Sequence, residues 1–139
     1  MTHGNAPQLL RSAAYFPVRN VAATADYYEK VLGFRRDYLA GSPPEFAILS
    51  RDGLPLMLRR VPEPERICPN EKQGGSWDVF FWVRDVREVF KEMTEAGAQI
   101  VYAPVMQEYG VEEMAIRDLD GHVLGFGEEP GSRPGSQRP

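Results

Sequence analysis

The sequence has few of the residues on which redox chemistry, zinc binding and acyl transfer depend. Its 139 residues include one cysteine, Cys68, and two histidines, His3 and His122. A single cysteine excludes an internal disulfide and a cysteine pair for a metal, and a lone thiol in a proline-rich connector is more often incidental than nucleophilic. No nucleophile elbow and no phosphate-cradling glycine loop is present. The sequence therefore predicts no catalytic residues.

Two further absences concern partners and location. Sixteen Lys and Arg residues stand against twenty Asp and Glu residues, and the positive side chains are scattered rather than gathered into a stripe. Such a chain has no electrostatic footprint for nucleic acid. No apolar stretch approaches the roughly 20 residues needed to span a bilayer, and the N-terminus has no signal-peptide pattern. We expect a cytoplasmic protein without nucleic-acid or membrane partners.

What the chain does contain is an internal repeat. The hexapeptide FPVRNV at residues 16–21 returns 65 positions later as FWVRDV at residues 81–86, and residues 46–58 align without a gap on residues 114–126. Each copy is only about 50 to 60 residues long, which is marginal for an independent core. We therefore expect the copies to share one interior or to exchange parts within a homodimer.

Apolar periodicity gives both copies one plan, β-α-β-β-β. In the first copy the predicted strands are 12–18, 34–39, 46–49 and 55–59, and the predicted helix is 22–32, with Thr24 as a possible N-cap and Gly33 as the stop. In the second copy the predicted strands are 78–83, 99–102, 112–116 and 123–127, and the predicted helix is 86–96.

These elements define one domain with flexible ends. We expect the modules at 12–61 and 77–128, forming a single domain over 12–128, with the Pro- and Gly-rich stretch 62–76 as an irregular connector. Residues 1–11 are expected to be flexible. Residues 129–139 lack large apolar side chains and are expected to be disordered.

Several motifs, taken together, resemble the vicinal oxygen chelate superfamily, which includes glyoxalase I, extradiol dioxygenases, fosfomycin-resistance enzymes and bleomycin-resistance proteins. They are the Phe-x-Val-Arg-Asn/Asp-Val opening of each module, Leu32-Gly33-Phe34 after the first helix, and the closing Asp-x-Asp-Gly-x-x-Leu-x-Phe at 118–126. The resemblance covers about residues 13–128. It implies an α+β fold in which two βαβββ modules form curled sheets around a cleft.

The same resemblance implies where a metal would be held. Metal-using members place one ligand near the start of each module's first strand and one in each module's last strand, and those positions are here Ala13, Met57, Asp78 and Gly125. Three of the four cannot ligate a hard divalent ion. We therefore expect no metal and no cofactor. The alternative is a metalloenzyme, related to the lyases, isomerases or dioxygenases, with relocated ligands drawn from Glu112, Glu113, Asp118, Asp120 and His122.

Strand alternation predicts the walls of the cleft. Starting from Asp78 it places Phe80 and Trp82 on the cleft side, and starting from Met57 it places Arg59 there, with Tyr15 contributed by the first strand. Aromatic faces with one carboxylate suit a flat or cationic small molecule. The full set of candidate ligand-binding residues is Tyr15, Met57, Arg59, Asp78, Phe80, Trp82, Tyr102 and Tyr109.

A simpler interpretation of the same residues stays open. The aromatic side chains would then only fill the interior of a curled sheet, Asp78 would pair with Arg59, and the protein would be a scaffold or partner-binding domain.

The nearest subgroup is the bleomycin-resistance-like proteins. Residues 109–128 resemble their Trp-Gly, strand, Asp-Pro-Asp-Gly, Leu-x-Phe-Gly run, with Tyr109 where a tryptophan is usual and Leu119 where a proline is usual. Members of that subgroup are homodimers that sequester a cationic glycopeptide between subunits without metal-dependent catalysis. The resemblance thus implies a metal-free, drug-sequestering homodimer.

Overall fold

The computed structural model describes residues 5–132 and contains the predicted elements in the predicted order. The strands and helices are β1 (Ala14–Val18), α1 (Val21–Lys30), β2 (Arg35–Ala40), β3 (Phe46–Arg51), β4 (Leu54–Arg60), β5 (Val79–Val83), α2 (Val86–Glu95), β6 (Gln99–Met106), β7 (Glu112–Arg117) and β8 (Val123–Glu128). Two short 3-10 turns, Pro64–Arg66 and Asn70–Gln73, interrupt the connector, which was expected to be irregular. The terminal segments 1–4 and 133–139, expected to be flexible or disordered, lie outside the described residues.

Each module forms one four-stranded mixed sheet, and the two sheets are separate. The strand order is β1-β4-β3-β2 in the first sheet and β5-β8-β7-β6 in the second. Only the first strand of each module runs parallel to its neighbour, the last strand. The other pairs are antiparallel. The α+β fold of two βαβββ modules is confirmed.

The modules share one hydrophobic core, as their small size requires. Buried apolar side chains from both copies form a single cluster. Side-chain contacts also cross between the two modules. The Tyr28 hydroxyl donates a hydrogen bond to Asp118 at 2.8 Å, and the rings of Phe16 and His122 are stacked with their centroids 4.3 Å apart. His122 is only 3% exposed, so it belongs to this core and not to an open turn.

The two helices begin in the same way. Asn20 caps α1 by accepting a hydrogen bond from the backbone amide of Ala23, and Asp85, at the equivalent position, caps α2 by accepting from two backbone amides. The prediction of Thr24 as N-cap was wrong, because α1 begins three residues earlier at Val21 and Thr24 is buried within it. Gly33 does stand in the left-handed conformation after the helix, with φ +76°.

Candidate functional site

Five aromatic side chains gather on the side of the second sheet that faces away from α2. Alternation along β5 turns Val79, Phe81 and Val83 toward the core and leaves Phe80 and Trp82 on the opposite side, as predicted. We call this side the aromatic face; its aromatic members are Trp77, Phe80, Trp82, Tyr102 and Tyr109.

The rings of the aromatic face contact one another in sequence. The ring centroids of Trp77 and Phe80 are 4.7 Å apart, and those of Phe80 and Trp82 are 5.1 Å apart and nearly perpendicular. Trp82 is 64% exposed. The Trp82 ring is therefore accessible to a molecule in solution. It packs against Phe80, which in turn packs against Trp77.

Two glycines of β8 allow these rings to lie directly on the sheet. A Cβ atom at Gly125 would stand 2.5 Å from Cδ1 of Trp77, and one at Gly127 would stand 2.5 Å from Cζ of Phe80. Real Cβ atoms do not approach other heavy atoms so closely. Glycine is needed at both positions because the rings occupy the space of a side chain.

A buried carboxylate lies beneath the same face. Glu113 on β7 is 1% exposed and accepts hydrogen bonds from the hydroxyls of Tyr102 at 2.6 Å and Tyr109 at 2.5 Å. Trp77 Nε1 donates in turn to the Tyr102 oxygen at 3.0 Å. The carboxylate, two tyrosines and the indole thus form one hydrogen-bonded chain.

The charge of Glu113 acts on both tyrosines. Burial raises the pKa of Tyr102 well above its ordinary value, and the hydrogen bond to Glu113 raises it further. The hydrogen bond to Glu113 raises the pKa of Tyr109 to about 12. Both hydroxyls therefore remain protonated donors at neutral pH.

Both oxygens of the Asp78 carboxylate accept hydrogen bonds from backbone amides. Its Oδ1 accepts from the backbone amide of Asn70 at 2.9 Å and its Oδ2 from that of Val123 at 2.8 Å, so its carboxylate ties the connector to the start of β8. The alternative in which Asp78 pairs with Arg59 is wrong. Arg59 instead donates to the Tyr15 hydroxyl.

The predicted site residues form two groups, one on each sheet. Tyr15 and Met57 are paired in the register of β1 and β4, and the Arg59 guanidinium carbon stands 6.0 Å from the Tyr15 ring centroid. Phe80, Trp82, Tyr102 and Tyr109 belong to the aromatic face. Within residues 5–132, no hydrogen bond or ring contact joins the two groups.

The four positions that would hold a metal do not fit one. Ala13 and Gly125 have no donor atom, Met57 offers only a soft thioether, and both oxygens of Asp78 already accept backbone hydrogen bonds. At Gly125 the space of a ligand side chain is filled by the rings of Trp77 and Phe80. The chemistry of these residues is that of packing, not of metal coordination.

The relocated ligands do not converge on one point either, although His122 Nδ1 stands 3.1 Å from Asp118 Oδ2. Glu112 and Glu113 are neighbours in β7 and so point to opposite faces of the sheet, and Glu112 pairs with Arg87 at 3.0 Å. Asp118 accepts from the backbone amides of Asp120 and His122 and from Tyr28. In the part of the chain that the structure describes, no three His, Cys, Asp or Glu residues are grouped as metal ligands.

A cavity of about 830 Å³ lies elsewhere, in a groove between the modules. It shares Trp82 with the aromatic face but is lined mainly by the β3–β4 turn, β5 and α2. In its wall Arg51 and Glu92 form a double hydrogen bond, at 2.8 Å each. The aromatic face is the stronger candidate because it combines an exposed ring with a buried carboxylate, and among residues 5–132 that carboxylate forms no ion pair.

The sequence analysis missed two members of this site. Trp77 was assigned to the boundary between connector and module, and Glu113 was considered only as a metal ligand. The alternation of Gly125 and Gly127 with bulky residues in β8 was a usable signal, because glycines on one face of a strand often mark the close approach of another group.

No helix within residues 5–132 is long and apolar enough to cross a membrane. The sequence matches the family model of the Glyoxalase/Bleomycin resistance protein/Dioxygenase superfamily over residues 10–126. Among curated proteins, none matches significantly.

Solved structures share this architecture. The crystal structure of TioX from Micromonospora sp. ML1 is 26% identical, with a TM-score of 0.69 over 86% of this chain and 98% of that one. A bleomycin-binding protein complexed with bleomycin is 25% identical, with a TM-score of 0.68 over 86% and 98%. A bleomycin resistance determinant encoded on the transposon Tn5 is 24% identical, with a TM-score of 0.69 over 87% and 98%, which shows a common fold.

Proposed function

The chain belongs to the glyoxalase/bleomycin resistance protein/dioxygenase superfamily, and we propose that it is a binding protein that sequesters a small organic molecule without a metal. The observation that carries the proposal is the aromatic face: at Gly125, where metal-using members place a ligand, the rings of Trp77 and Phe80 fill the space. A stacking surface thus stands in place of the metal. Sequestration of a toxic compound in the cytoplasm would confer resistance to it.

The aromatic face suits a flat guest. Exposed Trp82 is fixed at one edge by Phe80, so it can stack on a planar ring with little loss of conformational freedom. Arg59 with Tyr15 and Met57 on the first sheet would supply the remaining predicted contacts. These residues form a separate group within one chain. We therefore propose that the binding cleft is completed in a homodimer, where the first sheet of one protomer faces the second sheet of its partner.

A homodimer accounts for further features of the surface. Large apolar side chains are exposed on both sheets, among them Tyr15, Tyr38, Trp82, Met106 and Tyr109. The outer strands β1 and β5 are each hydrogen-bonded to only one neighbour within the chain, and such edges can pair with another strand.

Sedimentation or light scattering tests the dimer. We expect a mass of twice the 15.7 kDa chain at micromolar concentration. A protein that has the mass of one chain at every concentration measured and still binds its ligand would contradict a cleft shared between two protomers.

Binding is tested by thermal shift and by quenching of tryptophan fluorescence. Bleomycin is the first compound to try because a similar structure is that of a bleomycin-binding protein, followed by planar aromatic compounds and by divalent cations. A ligand that binds only the folded state raises the melting temperature. We expect one organic compound, and no divalent cation, to do so.

Trp82→Ala should weaken that binding roughly tenfold or more, because truncation of a central aromatic contact typically removes over ~1 kcal/mol. Leu119→Ala is the matched control, since Leu119 is similarly exposed but belongs to the β7–β8 turn. An equal effect of the two changes would argue against the aromatic face. Stoichiometric manganese, iron, nickel or zinc in protein purified without chelator would contradict metal-free binding.

A further inference from the structure

Glu113 is a buried charge whose bonding partners are neutral. Its side chain is 1% exposed, and its two oxygens accept from the hydroxyls of Tyr102 and Tyr109. Among residues 5–132, no Lys, Arg or His nitrogen stands within 4.0 Å of this carboxylate. Hydroxyl donors satisfy its lone pairs but do not cancel its charge, and a buried charge without a counter-charge is costly.

The neighbouring carboxylate shows that the fold can supply a counter-charge where one is needed. Glu112, one residue earlier and on the other face of β7, pairs with Arg87 at 3.0 Å. No ion pair within residues 5–132 supplies Glu113 with such a cation. A positive group brought by a ligand would therefore gain the full benefit of neutralising Glu113.

The rings beside Glu113 are themselves suited to a cation. Glu113 is paired with Gly127 in the register of β7 and β8, and the Phe80 ring lies on Gly127. Trp77 is linked to Glu113 through Tyr102. Aromatic faces attract ammonium and guanidinium groups, with tryptophan the strongest of them.

Tyr109 covers Glu113 but is held loosely. It follows β6 in the loop that leads to β7, and it is 62% exposed although its hydroxyl reaches the buried carboxylate. An exposed ring gains little from packing. Its hydroxyl can therefore leave Glu113 at small cost when a stronger, charged donor is available.

We propose that Glu113 anchors a primary ammonium group of the ligand, which replaces the Tyr109 hydroxyl while Tyr102 keeps its hydrogen bond. A flat ring attached one carbon from the ammonium then stacks on the exposed ring of Trp82. This inference rests on the proposed binding function of the aromatic face and narrows it to compounds that carry both groups.

Two matched probes test the inference: 2-naphthylmethylamine, which is protonated at neutral pH, and 2-naphthylmethanol, which has the same ring and no charge. Binding is followed in nuclear magnetic resonance titrations through the indole N–H signals of Trp77 and Trp82, the two tryptophans of the chain. We expect the amine to bind roughly ten- to hundredfold more tightly than the alcohol, the range for a hydrogen bond to a charged group.

Glu113→Gln keeps the shape and a hydrogen-bond acceptor but removes the charge, and it should abolish the preference for the amine over the alcohol. Glu112→Gln is the control, because it removes one charge from the adjacent position on the other face and should leave the preference intact. A preference that survives Glu113→Gln, or one that Glu112→Gln also removes, would overturn the inference.

Other outcomes separate the inference from the proposed function. Equal binding of both probes to the wild type, lost in Trp82→Ala, would sink the ammonium site and leave the aromatic face as a binding site. Binding of neither probe at millimolar concentration would overturn the inference, and it would contradict the proposed function as well only if none of the organic compounds in the thermal-shift series binds. A further outcome is that the wild type shows no preference for the amine while the Arg59→Gln variant does. That result would mean that Arg59 of a second protomer neutralises Glu113, and it would also overturn the inference.

If the Glu113→Gln variant fails to fold, a crystal structure of the wild-type protein with the bound amine still tests the inference. The ammonium nitrogen should lie within about 4 Å of a Glu113 oxygen. A greater separation in a fully occupied site would overturn the inference without recourse to any substitution.

Discussion

Tyr102 and Tyr109 place the same chemical group on the same carboxylate in two environments. The Tyr102 hydroxyl also accepts from the Trp77 indole and its ring is partly buried, whereas the Tyr109 ring is mostly exposed. The cost of losing a hydrogen bond depends on whether water can replace the missing partner. These two residues therefore separate the structural part of the network from its displaceable part.

Removal of each hydroxyl tests this difference. We expect Tyr102→Phe to lower the free energy of unfolding by about 1–3 kcal/mol, because Trp77 Nε1 and Glu113 each lose a buried partner. Tyr109→Phe should cost less than about 1 kcal/mol, because water reaches the exposed position. Urea unfolding measures both. Equal costs, or a larger cost at Tyr109, would contradict the assignment of Tyr109 as the loosely held cover.

For single residues, the sequence predicted the side of the sheet to which a side chain points better than it predicted the hydrogen-bond partner of that side chain. Alternation along a strand correctly put Phe80 and Trp82 on one side, since it depends only on backbone geometry. The partner of Asp78 depends on how the connector folds back, and the backbone amide of Asn70 that it binds belongs to a stretch whose composition indicated only irregular structure. The role of Glu113 likewise depends on a loop that brings Tyr109 over it.

Among the elements, the two helices show most directly what the duplication has kept. Asn20 and Asp85 occupy equivalent positions with nearly the same backbone angles, φ −144° and −146°. Each side chain accepts from backbone amides in the first turn of its helix. The two modules thus share the same helix start, although their sheet faces differ, as Tyr15 in the first module and Phe80 at the equivalent position of the second show.

The cap of α1 can be tested by substitution. Asn20→Ala should destabilise the protein by about 1 kcal/mol, since the amide of Ala23 loses its acceptor, whereas Asn20→Asp should be nearly neutral because Asp caps as well. Thr24→Ala does not touch the cap. Thermal unfolding of the three variants gives the comparison, and an unaffected Asn20→Ala protein would contradict the assigned helix start.

The order and type of the elements were predicted correctly, and their ends less so. The predicted start of helix α1, residue 22, is one residue late. The cap was misassigned because Thr24 is as good a capping residue by type as Asn20, and only the structure shows which side chain reaches an amide. Strand β6 extends to Met106, beyond the predicted end at Tyr102. Its register shifts twice against β7, and such irregularities hide the period of two on which strand prediction depends.

On the scale of the whole molecule, the shared core makes the modules one unit of stability. Leu49 of the first module and Met114 of the second belong to the same buried cluster. The Tyr28 hydroxyl of the first module is bonded to Asp118 of the second. A disturbance in either copy should therefore reach the other.

The position of the tryptophans allows a direct test. Trp77 and Trp82 are the only two in the chain and both belong to the second module, so their fluorescence reports mainly on that module, with Trp82 also lining the groove between the modules. Leu49→Ala in the first module should cost about 2–5 kcal/mol and shift the fluorescence midpoint and the far-ultraviolet circular dichroism midpoint equally. A fluorescence midpoint that stays in place would show that the modules unfold separately.

The contact between Trp77 and Gly125 also limits how this protein can change. A carboxylate or imidazole introduced at position 125 would carry a Cβ atom 2.5 Å from the indole, so it could not be accommodated until the indole was lost. Loss of the indole alone would leave Tyr102 without its donor and uncover the sheet. Either of these single steps toward a metal site is therefore unfavourable, and divergence from a metal-binding relative would be far easier to complete than to reverse.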